Sequence, residues 1–378
     1  MRNTTWKIKT SNQNKSIMLN NFPIDQDILK ILHSRGIVSK KDIINFLDPS
    51  LDNIQSSSLL SDMKKSVDLI IECIKNGKNI WIYGDYDVDG ITSTSILYLA
   101  LKDLGAEFLN YYIPIRDEGY GLNNTALKTI KNSGADLLIT VDCGITSFKE
   151  IEFAKSIGLD VIITDHHDIQ SDKIPNAYSI INPKRTDNAF TFNALAGVGV
   201  AFMLILNLYE KLKTKEEAYV YLDLVAIGTI ADIVPLVKEN RIFAKHGLEK
   251  LLYSENKGLR FLITKLFETA KLEFTTYDVG FVIAPVFNAA GRLKDAKMVV
   301  KLLTSDNDRE IEVISKELIN KNFERRELQT TLVELVEANI QKNNLNDNLV
   351  IVDASSEYHH GIIGIIASKV VDAHYKPA

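Results

Sequence analysis

The chain has 378 residues, 46% of them apolar and 25% charged, which excludes fibrous, disordered and membrane-embedded classes and fits a globular protein of two or three domains. Two cysteines, Cys73 and Cys143, exclude a disulfide framework. The formal charge of −5 excludes a molecule that is basic all over, so any nucleic-acid path has to be a local basic patch. The first residues, Met1 to Lys9, carry no apolar signal core, and no stretch is long and apolar enough to span a bilayer, so a cytoplasmic location is expected.

In chain order, residues 1–75 read as a helical N-terminal region. From residue 76 to about 185, strand and helix patterns alternate, as in a parallel α/β sheet. Ile80 to Gly84 is an apolar run ending in Asp85, Asp87 and Asp89, and a helix is predicted over Thr92–Leu104 with Gly105 as its stop. Two further β-branched runs end in polar residues: Leu137 to Val141 in Asp142, and Val161 to Thr164 in Asp165, His166 and His167. Residues 195–300 read as mainly helical, with Asp232 isolated in the apolar stretch Val225–Leu236. Asp308 to Asn344 contains no Gly or Pro and keeps helical apolar spacing, so one long connecting helix is predicted. Leu349–Asp353 reads as a fresh strand opening a second domain.

The aspartates carry the chemistry. Carboxylates this close repel one another, and a buried charge left unpaired costs roughly 3–5 kcal/mol. No Lys or Arg lies within Ile80–Thr94, so a divalent cation is the simplest neutralising partner. Ligands of open α/β sheets bind outside the C-terminal ends of the strands. Asp87, Asp89, Asp142, Asp165, His166 and His167 are therefore expected to converge on one crevice, with Asp232 as a later contributor. A single Asp at a strand end is more often a helix cap; the combined set is what points to metal.

These blocks, Asp-Tyr-Asp-Val-Asp-Gly at 85–90, Val-Asp-Cys-Gly at 141–144 and Asp-His-His at 165–167, resemble the DHH phosphoesterase superfamily. Phe46–Pro49, Ile113–Gly121, Leu195–Phe202 and Ala284–Leu293 narrow the resemblance to the RecJ family of single-strand-specific exonucleases. It implies an α/β fold: a parallel-sheet DHH catalytic domain over 76–304 with helical additions, a connecting helix over 305–345, and the start of a DHHA1 domain over 346–378. The family pattern continues past that point, and it has His-Pro-Gly where this chain has His359-His360-Gly361. The apolar face of Ile362, Ile363, Ile365 and Ile366 is then expected to be exposed.

The implied activity is stepwise 5′-to-3′ hydrolysis of single-stranded DNA in recombination and repair, with other repair proteins as partners. Two divalent cations, Mn²⁺ or Mg²⁺, are the implied cofactors, since one imidazole among carboxylates does not suit a closed zinc site. Asp85 and Asp87 would hold one ion, Asp89, His166 and Asp232 the other, and Asp142 is chosen as the bridge. Asp165 would orient His166, and His167 would face the scissile phosphate. Arg116, Asn288, Arg292 and His359 are candidate substrate contacts, with loop ion pairs and helix capping as the structural alternatives. Cys143 reads as a packed side chain, and Lys184-Arg185 and Arg325-Arg326 read as solvated charges. Two other functions remain open: a DHH phosphodiesterase acting on short oligonucleotides or cyclic dinucleotides, and an inactive DNA-binding scaffold on the same fold.

Overall fold

The computed structural model describes residues 24–170, 173–293 and 295–378. The first part of the N-terminal region lies outside them. What is described there is helical: α1 (Gln26–Ser34), α2 (Lys40–Leu47) and α3 (Met63–Lys75).

The centre is a five-stranded sheet of β1 (Ile80–Gly84), β2 (Leu109–Tyr112), β3 (Leu137–Val141), β4 (Asp160–Thr164) and β5 (Ser179–Ile181), in the order β2-β1-β3-β4-β5 and parallel throughout. Alternate residues feed two cores. Ile80, Ile82, Ile139 and Ile162 face one, Tyr83, Leu138 and Ile163 the other. Both faces are buried, which is why these strands read as continuous apolar runs. The register pairs Gly84 with Val141, and Val141 with Thr164. The next residue on each strand is an aspartate, so Asp85, Asp142 and Asp165 emerge side by side. The chain reverses its winding direction between β1 and β3, which is the crevice where such sheets bind ligands.

The helix after β1, α4 (Val88–Asp103), starts four residues before its predicted start because Asp87 is its N-cap. The alternating aspartates are thus not all loop: Asp89 and Gly90 form the first turn. Buried nearly all round, α4 contains Thr92, Thr94 and Ser95, whose hydroxyls donate 2.8 Å hydrogen bonds to the carbonyls of Val88, Gly90 and Ile91. Beyond it, α5 (Asn124–Asn132) and α6 (Phe148–Ser156) cover one sheet face. Against α4 pack α7 (Gly197–Leu212) and α8 (Leu222–Ala231). A Cβ at Gly228 would sit 2.3 Å from Thr92 Oγ1, so glycine is what lets α8 approach α4.

The helices α9 (Lys238–Lys250), α10 (Lys257–Leu266), α11 (Ala284–Leu293) and α12 (Lys297–Thr304) lead to α13 (Asp308–Lys342). The 35 residues of α13 make a rod about 50 Å long. Its N-terminal half joins the main core through Ile311, Ile314 and Leu318. Its C-terminal half packs Leu332, Val336 and Ile340 against Ile351, Ile362, Ile366 and Val370, the last two on α14 (Ile363–His374).

Two expectations fail here. Leu349–Asp353 is not a strand: Leu349 and Val352 are 90% and 73% exposed, and the Ile351 N–H donates to Pro377 O at 2.8 Å. A strand needs a ladder neighbour, and among the described residues this part of the chain offers none. The isoleucine face is only partly exposed, since Ile362 and Ile366 are buried against α13 while Ile363 stays open. Among the described residues no helix is long and apolar enough to cross a membrane.

Candidate metal centre

Three overlapping groups of donor atoms form at the C-terminal edge of the sheet: Asp85, Asp87 and Asp142; Asp89, His166 and Asp232; and Asp142, His166 and His167, each with its atoms within 4.8 Å of one another. His166 joins them. Its Nε2 lies 3.1 Å from Asp142 Oδ1 and 3.7 Å from Asp89 Oδ2, and its Nδ1 lies 3.8 Å from Asp232 Oδ2.

Local structure explains each position. Asp87 Oδ1 caps α4, accepting from the N–H groups of Asp89 (2.9 Å) and Gly90 (3.1 Å). Asp89 reaches the start of α7, where its two oxygens accept from Gly197 N (2.6 Å) and Val198 N (2.7 Å). That helix N-terminus favours the negative charge. Asp142 has φ +59, a left-handed conformation that Asp adopts more readily than most residues. A Cβ on Gly197 would come within 2.7 Å of the Asp142 Cβ and Oδ1. The glycine therefore lets α7 press against the bridging position. Asp232 is the C-cap of α8. It is followed by Ile233 at φ +62, a conformation that costs an L-residue roughly 1–2 kcal/mol.

The electrostatics demand a cation. Burial, then Asp87, pushes the Asp85 carboxyl up to about 7. Burial, then Asp87, pushes Asp232 up to about 6. Burial raises Asp89 and Asp142 well above the carboxylate range, and neighbouring carboxylates add to it. Burial, then His167, lowers His166 to about 4 and keeps its ring neutral, as a metal ligand must be. Asp85 Oδ1 and Asp142 Oδ1 are buried without any hydrogen-bond partner. The latter is the atom 3.1 Å from His166 Nε2; the two approach without hydrogen-bond geometry, as two donors facing a shared ion would. Buried unpartnered carboxylate oxygens are rare in native proteins and call for an explanation such as an ion. The donor set, carboxylate oxygens with one imidazole, fits Mn²⁺ or Mg²⁺.

Asp165 serves a different ring from the one expected. Its Oδ1 accepts from the His167 ring Nδ1 at 2.7 Å and from the backbone N–H groups of His166 (2.7 Å) and His167 (3.1 Å), while Oδ2 accepts from Ile145 N at 2.9 Å. It fixes the loop and orients His167, not the His166 imidazole. Burial raises the Asp165 pKa, but the His167 hydrogen bond and charge outweigh it and the net shift is downward. The same hydrogen bond raises His167. Tyr120 is a neighbour that sequence reasoning did not single out. Its hydroxyl lies 3.1 Å from His167 Nε2, 3.2 Å from Nδ1 and 3.4 Å from Asp142 O. The signal was available: an aromatic residue in the loop after β2, on the same sheet edge.

Arg116 stacks over the Tyr86 ring at 4.4 Å and makes a long 3.4 Å contact to Gly291 O. Arg292, half-buried on α11, donates from Nη1 to Gly361 O at 3.0 Å. Burial, then Arg116 and Arg325, lowers its pKa, and Asp87 opposes this. The two arginines thus stand together beside the carboxylates. Asn288 lies one turn before Arg292 on α11. His359 Nδ1 accepts from Gly361 N at 3.1 Å, so His359 belongs to the loop that Arg292 holds. Cys143 is buried, with its thiol pushed well up by burial, and packs as expected. Arg185 is not solvated: it is clamped by Asp62 and Asp187 at 2.7 Å and by Ile180 O at 2.6 Å. Lys184 pairs with Asp168 at 2.8 Å. Arg325 bonds Asn322 Oδ1 (2.8 Å) and Gln329 Oε1 (3.1 Å) along its own helix.

A doubly wound parallel sheet with this aspartate and histidine edge defines a DHH-type protein, and the sequence model of the DHH family, N-terminal domain, matches residues 79–229. The chain belongs to the RecJ family of DHH proteins. It is 38% identical over 375 residues to the single-stranded-DNA-specific exonuclease RecJ of Bacillus subtilis, covering 99% of this chain and 47% of that protein. With the Escherichia coli RecJ it shares 35% identity, covering 92% of this chain and 62% of the relative. It superposes on a crystal structure of exonuclease RecJ bound to manganese with a TM-score of 0.75 at 34% identity, covering 84% of this chain and 79% of the other. A Thermus thermophilus RecJ in complex with Mn²⁺ gives 0.75 at 32% identity, with 91% and 48% coverage. The chain thus spans between about half and three-fifths of the length of these two curated relatives.

Proposed function

We propose that this chain is the catalytic part of a metal-dependent exonuclease that hydrolyses single-stranded DNA stepwise from the 5′ end. The observation that carries the reading is Asp142, which belongs to two of the three donor groups, one with Asp85 and Asp87 and one with His166 and His167, and holds a buried Oδ1 that no hydrogen bond satisfies. Asp85 and Asp87 would hold one cation, Asp89, His166 and Asp232 the other, with Asp142 shared between them. Mn²⁺ or Mg²⁺ bound there would stabilise charge on the attacking and leaving oxygens and activate water. His167, fixed and made more basic by Asp165, is a proton-bearing donor to a phosphoryl oxygen. Arg116 and Arg292 supply fixed positive charge for a phosphate. Asn288 and His359 contact the substrate on the same side. Specificity for single-stranded DNA, the 5′-to-3′ direction, a role in recombination and repair beside other repair proteins, and a cytoplasmic setting rest on the family to which the chain belongs.

The test is a time course on a long single strand labelled at either end, in Mn²⁺ and in excess EDTA, with Asp142→Ala alongside. Release of 5′-terminal nucleotides that stops in EDTA and in Asp142→Ala is expected. Full turnover in either would refute the proposal, as would equal degradation of blunt duplex.

A further inference from the structure

Neighbouring strands end in a row of polar residues. The register pairs Gly84 with Val141, Val141 with Thr164 and Thr164 with Ile181. The next residues, Asp85, Asp142, Asp165 and Asn182, therefore stand side by side. Asn182 is the uncharged member of the row and is fully buried. Both ends of its amide are used: Nδ2 donates to His167 O at 3.1 Å, and Oδ1 accepts from Lys184 N at 2.8 Å. The partners decide which end is which, because a carbonyl needs a donor and an N–H needs an acceptor. A carboxylate here could not donate to His167 O, so the row ends in an amide for a chemical reason.

His167 depends on such bonds. Its side chain is 42% exposed, so packing alone does not fix the ring. Asp165 Oδ1 holds the ring Nδ1 and the backbone N–H, and Asn182 holds the carbonyl. Ring and backbone are thus pinned from two adjacent strand ends. Lys184 adds a contact one residue on, to Asp168 at 2.8 Å. The turn that carries Asn182 is itself tied down. Asn182 O accepts from Arg185 N at 3.2 Å and from Asn188 Nδ2 at 2.8 Å. The Arg185 guanidinium reaches Asp62, the N-cap of α3, at 2.7 Å and Ile180 O on β5 at 2.6 Å. A continuous set of bonds therefore runs from α3 and β5 to His167. The turn closes on itself through the acceptor half of the amide and the Asn182 carbonyl; the donor half serves His167.

We infer that Asn182 is a positioning residue for phosphodiester hydrolysis. It touches neither substrate nor metal, and it holds the His167 backbone so that the ring faces the scissile phosphate. The inference rests on the reading of His167 as a donor to a phosphoryl oxygen and adds what keeps that donor in place. Misplacing a reacting group by about 1 Å costs on the order of a hundredfold in rate, which is the scale open to Asn182.

The experiment measures kcat and KM on a long single strand in Mn²⁺, Mn²⁺ affinity by calorimetry, and Tm, all on the full chain. The variants are Asn182→Asp, Asn182→Ala, His167→Ala, and His167→Ala combined with each Asn182 substitution. Asn182→Asp keeps the shape and the acceptor for Lys184 N and loses the donor, so it also serves where Asn182→Ala does not fold. Both should lower kcat about ten- to a hundredfold. KM and Mn²⁺ affinity should stay within about twofold of the unaltered chain. On the His167→Ala background the Asn182 substitutions should cost about twofold or less, because groups that act as one unit are not additive. A residue that only stabilises the fold would lower Tm and leave kcat unchanged well below it; that result overturns the inference. So does a full further loss in the double variants, or a loss of Mn²⁺ affinity in the single ones. His167→Ala at full rate defeats the donor reading and the inference with it. A slow His167→Ala beside Asn182 variants at full rate defeats the inference alone.

Discussion

Removing the metal should make the chain's stability fall as pH rises, and the carboxylates set the size of the effect. In the unfolded chain Asp85 titrates near 3.8; folded without metal it titrates near 7. Between those values the folded state holds a proton that the unfolded state has lost, so stability decreases with rising pH across that window. Below about 4 both states are protonated and the penalty vanishes; above about 7 it is complete. A shift of about three units corresponds to roughly 4 kcal/mol. Asp232, raised to about 6, acts in the same direction, and because the groups are coupled the two effects do not simply add. His167, raised by its Asp165 partner, also loses stabilisation as pH rises, in metal-free and metal-loaded protein alike. Mn²⁺ favours ionised ligands and should cancel the carboxylate part. The assay is a thermal melt in EDTA and in Mn²⁺ from pH 5 to pH 8. The gain from Mn²⁺ should grow with pH, reaching roughly 5–10 °C more at pH 8 than at pH 5. A gain independent of pH, or a metal-free Tm that rises across that range, would refute the reasoning.

Other substitutions separate the parts of the site. Gly197→Ala puts a methyl group 2.7 Å from Asp142; overpacking of this kind costs about 1–3 kcal/mol, so lower Tm and weaker Mn²⁺ binding by calorimetry are expected, and wild-type values for both would show that the close approach does not matter. His167→Ala should keep Mn²⁺ affinity and lose roughly a hundred- to thousandfold in rate, as for one lost stabilising contact; loss of metal binding would make it a ligand instead. Asp87→Asn keeps a good helix cap, so it should lose metal affinity with little change in the metal-free Tm. Asp89→Asn turns an amide NH₂ toward Gly197 or Val198, where both oxygens now accept, and should lower the metal-free Tm as well. Equal Tm changes in the two variants would contradict that contrast.

The sheet could be read from sequence because three of its strands are apolar runs closed by aspartate, and burial on both faces leaves no other pattern. The edge strands β2 and β5, four and three residues long, are too short to announce themselves. The true start of α4 was hidden because Asp87 is both a candidate ligand and an N-cap, and alternating aspartates look like a loop. The convergence of Asp85, Asp142 and Asp165 follows from strand register, which spacing along the chain does not contain; it was reachable only by assuming one parallel sheet. Which ring Asp165 holds was not legible, because the bond spans two residues and depends on how the loop turns. Arg185 read as a solvated charge because its partner Asp62 lies far away in sequence. Leu349–Asp353 has the composition of a strand, and composition cannot supply a neighbour to pair with.

The site and the fold share side chains. Asp87 caps α4, Asp89 anchors the start of α7, and Asp232 ends α8, so the helices that carry the core are held at the point where the cation should bind. Asp89 and Asp232 are tolerated without metal through raised pKa values, in other words by holding protons. Metal binding therefore competes with protons and reinforces the helix junction through the same atoms. For that reason a loss of activity in an aspartate variant does not by itself identify a ligand: the same change can loosen α4 or α7. Asp142 is the cleanest probe of the set. It caps no helix, its Oδ1 is spoken for by no hydrogen bond, and removing its carboxylate takes away a donor that sits with Asp85 and Asp87 in one group and with His166 and His167 in another, while relieving repulsion among the buried charges. A variant at Asp142 that stays folded and loses the cation isolates the chemistry from the architecture.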